Sequence, residues 1–170
     1  PARLHRAMDM ISRKEPPFDT LLRGKGFSWL ATQYKVQAVF ALAGQTCTLI
    51  PGVAWWGAIP KSEWPEGLEE AIAPLWNEPH GDRQQELVMI GQHMDIQAIE
   101  AALQECLLTD DEYAEGNRNN WSFSSLSDPF AEKPEWSSFN ADGNNHHHDH
   151  HIFLFFLTVS IRIVAIFHQN

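Results

Sequence analysis

Six residues near the C-terminus carry the densest chemistry in this chain of 170 residues: His146, His147, His148, Asp149, His150 and His151. Neutral imidazole is a good ligand for zinc, nickel, copper and cobalt, and a carboxylate adds a hard donor. Adjacent histidines on an irregular stretch cannot all meet one ion in a fixed tetrahedral cage. They can exchange around it, which gives loose, unselective binding. That suits a metal-collecting tail rather than a catalytic site. The alternative is a solvated tail that meets metal only in a test tube. Asp149 interrupts the run and nineteen residues follow it, which argues against a purification tag.

Other reactive side chains lack a supporting context. No Gly-x-Ser-x-Gly elbow occurs, and no Ser or Cys sits in a nucleophile signature beside a His and an acid. Cys47 falls on an expected strand and Cys106 on an apolar helix face, where packed thiols are the ordinary outcome. The acid pairs Glu69-Glu70 and Asp110-Asp111 sit where helix starts favour negative charge. A site drawing on His80, His93 and Asp82 has no spacing to recommend it. Trp55 and Trp56 follow Pro51-Gly52, and Trp64-Pro65 closes their loop. Two indoles there make either a platform for a partner or a cap over the open side of a sheet.

These residues need a scaffold, and the composition allows one. Hydrophobic residues make up 44% of the chain and charged residues 20%, which is enough for one domain with a core. Lys and Arg number 12 against 22 Asp and Glu, a net charge of −10. That sign repels phosphate backbones and argues against a nucleic-acid partner. Residues 1–25 carry six basic and three acidic side chains, so the remainder is strongly acidic. Two distant cysteines form no disulfide framework and fit a reducing, cytoplasmic setting. Residues 1–26 hold no apolar run of the signal-peptide kind. The opening Pro-Ala-Arg reads as a fragment or a processed chain.

Periodicity predicts a helix over 2–13, with Leu4, Ala7, Met8 and Ile11 on one face, stopped by Pro16-Pro17. Strands are expected around Phe27, Trp29 and Ala31, over Val36–Ala43, over Thr46–Ile50 and over Gln85–Ile90. The gaps at Gly44-Gln45 and Pro51-Gly52 favour an antiparallel meander. A short helix, weakened by Pro74, is expected over Glu69–Trp76. A clear one is expected over 96–107, capped by Asp95, and a capping box spans Thr109 to Glu112. The fold class is α+β: a mainly antiparallel sheet of about four strands, helices on one face, and an irregular C-terminal tail. The expected division is a domain over 1–116, a polar His-rich tail over 117–151 and an apolar stretch over 152–170.

Ile152 to Phe167 is sixteen residues, about 24 Å as a helix at ~1.5 Å per residue, against a bilayer core of about 30 Å. Arg162 near its middle adds about 2.5–3.5 kcal/mol to insertion. A tail anchor is therefore disfavoured. The other outcomes are a strand-rich segment, or residues that arise from an altered reading frame and carry no function.

In order, Lys25-Gly26-Phe27-Ser28-Trp29-Leu30-Ala31-Thr32, Trp55-Trp56, Trp64-Pro65, Gly81-Asp82-Arg83 through Ile90-Gly91, Leu107-Leu108-Thr109-Asp110-Asp111-Glu112 and Asp128-Pro129-Phe130 form a recognisable string. It resembles the C-terminal domain of the CobW family of GTP-dependent metallochaperones, over about residues 1–130. The resemblance implies a regulatory or client-contacting domain attached to a GTP-hydrolysing half. The cargo would be zinc, or cobalt or nickel, and the client a metalloprotein such as a methionine aminopeptidase. GTP would be held only by that other half: no Gly-x-x-x-x-Gly-Lys-Ser/Thr occurs here, and neither does the family's Cys-x-Cys-Cys motif. The chain is thus expected to be no enzyme by itself. Asp82, Arg83 and Glu86 match the family's Gly-Asp-Arg segment. They are expected either to fix a turn by an ion pair or to join Trp55 and Trp56 in contacting the GTPase half.

Overall fold

The computed structural model describes residues 1–141 and 160–165, with side chains for residues 1–137. The chain runs α1 (Ala2–Arg13), β1 (Leu21–Ser28), β2 (Val36–Ala43), β3 (Thr46–Ala54), α2 (Leu68–Ile72), β4 (Glu86–Gly91), α3 (Ile96–Gln104), α4 (Asp110–Arg118), α5 (Pro134–Ala141) and β5 (Ser160–Ala165). The sheet order is β3-β2-β1-β4-β5, and β1 to β4 pair antiparallel. The α+β expectation, a mainly antiparallel sheet with helices, is what the fold shows.

Local chemistry explains most elements. Helix α1 buries Ala7, Met8 and Ile11, and ends where Lys14 turns left-handed (φ 57°) and the backbone bonds back to Ile11 and Met10. Strands β2 and β3 join through Gly44-Gln45, with Gly44 at φ 64°, as the hairpin signal requires. Asp95 caps α3, its carboxylate accepting from the Ala98 amide at 3.0 Å. Thr109 and Glu112 complete the capping box on α4.

One face of the sheet carries the core. Ala38, Phe40 and Leu42 of β2 and Leu87 and Met89 of β4 meet Met8 and Ile11 of α1 and Ile99 and Leu103 of α3. By strand alternation, Phe27, Val39 and Val88 point to the other face. At Gly26 any Cβ would lie 2.0 Å from the Glu86 carbonyl oxygen, so the β1–β4 pairing requires glycine there.

The structure departs from the sequence reading in four places. Strand β1 covers Leu21–Ser28, and Trp29 to Ala31 lie beyond its end. Gly24 and Gly26 remove side chains from the alternation, so its true period was masked. Helix α2 stops at Ile72 and gives way to a 3₁₀ turn over Ala73–Leu75, because Pro74 cannot continue the α-helical hydrogen bonding. Residues 117–141, expected as part of a polar tail, supply Phe130 and Trp136, both fully buried in the core cluster. The Trp136 indole donates to the Leu49 carbonyl of β3 at 3.1 Å. Finally, residues 160–165 of the apolar stretch, for which a strand is one of the expected outcomes, add to the four expected strands a fifth that runs parallel to β4, with Glu86 opposite Ser160 and Gly91 opposite Ala165.

Candidate functional site: a locked tryptophan loop

The chain between β3 and β4 is mostly loop, and a buried acid organises it. Asp82 is 6% exposed. Its two carboxylate oxygens accept from the backbone amides of Trp56 (3.0 Å) and Gly57 (2.8 Å). Charge-assisted bonds of this kind are stronger than neutral ones. Arg83 is equally buried and takes a different direction. Its Nε donates to the Tyr34 carbonyl (2.7 Å), one terminal nitrogen donates to the His80 carbonyl (2.6 Å), and the guanidinium lies 3.7 Å over the Tyr34 ring. Burial pulls its pKa below the usual arginine value. The two residues therefore fasten three loops together rather than forming an ion pair with each other.

Trp55 and Trp56 part company. Trp55 is 1% exposed and meets Phe27 edge to face, ring centroids 5.8 Å apart, so it covers the sheet face away from the helices. Trp56 is half-buried and starts a 3₁₀ turn. Glu86 is half-buried at the start of β4.

His80 is the centre of an aromatic cluster that sequence spacing did not reveal. Its Nε2 lies 2.7 Å from the Tyr113 hydroxyl and its Nδ1 3.4 Å from the Tyr34 hydroxyl. Trp29 and Trp121 stand at 4.9 and 4.7 Å between ring centroids. Desolvation, with the Arg83 charge, holds His80 below the ordinary imidazole pKa and favours the neutral ring. Asn120 and Trp121 are left-handed (φ 50° and 59°), which turns the Trp121 ring onto Tyr34 with planes 19° apart. Four aromatic side chains, Trp29, Tyr34, Tyr113 and Trp121, converge on this one imidazole, a meeting that no sequence spacing marks.

A cleft of about 640 Å³ opens beside this cluster, between the start of α1, the end of α3 and residues 28–31. Leu4, Leu30, Leu103 and Leu107 dominate its wall, with Gln85 and Tyr113 at the edge. No histidine lines it, and the Cys106 thiol on its wall donates to the Ala102 carbonyl. Burial raises the Cys106 pKa, which keeps that thiol in its less reactive protonated form. Cys47, on β3, is pushed up to about 11 by the same cause.

Among the described residues, no group of three or more His, Cys, Asp or Glu is placed to hold a metal ion. His93 and Asp82 do not join His80 in such a group. The residues His146 to His151 lie outside the described part of the chain. Among the described residues no helix is long and apolar enough to cross a membrane.

The described residues form an α+β domain whose loops are held together by Asp82 and Arg83. Comparison gives it a family. The model of the cobalamin synthesis protein cobW C-terminal domain matches residues 1–107, and the chain belongs to that family. It is 38% identical over 114 residues to the zinc-regulated GTPase metalloprotein activator 1 of Dictyostelium discoideum. The match takes in 66% of this chain and 24% of that protein, so the chain spans about a quarter of its curated relative. No solved structure matches the chain.

Proposed function

We propose that this chain supplies the regulatory, client-contacting domain of a GTP-dependent metal chaperone. The 38% identity to a zinc-regulated GTPase metalloprotein activator carries this reading and makes zinc the favoured cargo over cobalt or nickel. The domain docks on a GTP-hydrolysing half and on a client metalloprotein in the cytoplasm. It hydrolyses no GTP of its own, since the sequence holds no phosphate-binding Gly-Lys-Ser/Thr loop. The locked Asp82–Arg83 loops suit that role, because a docking surface gains affinity when it is held rigid before contact.

His146, His147, His148, Asp149, His150 and His151 act as the metal collectors, trading one ion among several imidazoles. Titration calorimetry with zinc, on the full chain and on a variant lacking 146–151, is the test. Loss of zinc uptake in the shortened variant is the expected result. Equal stoichiometry in the two would remove the tail from the mechanism. Measurable GTP turnover by the isolated chain would overturn the assignment as an accessory domain.

A further inference from the structure

The loop between β3 and β4 carries a second surface feature, independent of any metal. Trp56, Trp64 and Trp76 form a continuous row, with ring centroids 6.4 Å apart for the first pair and 5.5 Å for the second, both edge to face. All three are half-buried. Large aromatic side chains with this much exposure are over-represented at protein interfaces.

The row is built rigidly. Asp82 holds the Trp56 amide, the Trp64 indole donates to the Ile59 carbonyl at 3.0 Å, and the Trp76 indole donates to Glu78 at 2.8 Å. Trp76 lies against Gly81, where an added Cβ would stand 3.0 Å from the ring and where φ is +68°. Two of the three indole N–H groups are thus satisfied within the loop.

Charge names the partner. Residues 61–78 hold five Glu (63, 66, 69, 70 and 78) against the single Lys61. That one cation already shows how the surface receives positive charge. Its ammonium sits 5.5 Å from the Trp64 ring centroid while bonded to Glu69 at 2.6 Å. An arginine or lysine reaching in from another protein would find the same pairing, an indole face with a carboxylate beside it.

We propose that the Trp56–Trp64–Trp76 row is a docking surface for a basic protein surface, whose cationic side chains stack on the indoles and pair with the Glu rim. Lys61 occupies that position from within the chain and competes with the partner. Nucleic acids and anionic membranes are excluded by the sign of the rim.

The probe is a tryptophan-free peptide alternating Arg and Ala, with its Gln-for-Arg analogue as reference, titrated into the full chain while Trp emission is followed. Saturable binding of the Arg peptide is expected, weakening with salt and absent for the Gln analogue. Trp64→Ala should weaken it about tenfold, the scale of one or two cation–π contacts. The double change Glu69→Gln and Glu70→Gln should weaken it to a similar degree. Glu105→Gln with Asp111→Asn removes the same charge elsewhere and should leave affinity unchanged. Lys61→Ala alters only an exposed side chain and should tighten binding by freeing Trp64. Equal weakening by the Glu105 and Asp111 changes would reduce the effect to general charge and overturn the proposal. So would binding of the Gln analogue, or an affinity indifferent to Trp64→Ala and Lys61→Ala. Zinc uptake plays no part in these readouts, so they stand or fall separately from the metal-chaperone reading.

Discussion

Arg3 on α1 grips Glu112 on α4 with two hydrogen bonds, at 2.9 and 2.5 Å, across 109 residues of chain. The same guanidinium donates to the Leu107 carbonyl at 2.7 Å. Glu112 also accepts from the Thr109 amide, so one carboxylate closes both a helix cap and an interhelical clamp.

This clamp should give the domain an acid-sensitive component of stability. Hydrogen bonds from Arg3, helped by Thr109, depress the Glu112 pKa from 4.5 to about 2. A depressed carboxylate stabilises the folded state fully above its unfolded pKa. The contribution then disappears as pH falls through the folded value, here between about 4.5 and 2. Glu112→Gln keeps an acceptor for the capping box and removes the charge. Because solvent screens the pair, it should cost about 1 kcal/mol at pH 7, or about 2–4 °C in Tm. The difference from the parent should vanish near pH 2. A thermal melt series from pH 7 to 2 reads it; a constant offset across that range would show that charge is not the cause.

Trp136 lies beyond the residues matched by the family model, yet it is fully buried and bonded to Leu49. Trp136→Ala should cost about 3–5 kcal/mol, as expected for emptying an aromatic site in a packed core. Urea unfolding followed by circular dichroism would measure it. A loss under about 1 kcal/mol would mean that α5 contributes little to the core.

Asp82→Ala leaves the amides of Trp56 and Gly57 without their acceptor. With each of the two unsatisfied donors costing about 1–3 kcal/mol, the domain should lose about 2–6 kcal/mol. Asp82→Asn keeps one oxygen and should fall between the parent and the Ala variant. Near-ultraviolet circular dichroism should lose tryptophan signal in parallel, because the row built on Trp56 is released. Stability and spectrum unchanged in the Ala variant would contradict the lock.

Cys47 and Cys106 should resist alkylation in the folded chain. Burial keeps both thiols protonated at neutral pH, and the thiolate is the reactive form. Iodoacetamide at pH 7.5 should label neither at the rate of a free thiol and both after denaturation in urea. Fast native labelling at Cys47 would show that β3 opens locally.

Several elements were legible because their signals are local. Helix α1 and strand β2 fall where periodicity places them, and Asp95, Thr109 and Glu112 cap as their spacing requires. Strand β1 was harder, because Gly24 and Gly26 carry no side chain to alternate. The likeness to the CobW C-terminal domain was also visible in the ordered string from Lys25 to Phe130, and the family match over 1–107 agrees with it.

The linear order of residues determined the helices, the hairpin, the acidic character and the family, since each depends on neighbours a few positions apart or on a string read in sequence. Only the tertiary structure decided that Asp82 would hold Trp56 and Gly57, that Arg3 would reach Glu112, that Trp136 would close the core, and that 160–165 would lie parallel to β4. These contacts join residues from 25 to 109 positions apart. No periodicity encodes such pairs; they form where apolar burial has already brought distant loops together and a polar group must find its partner.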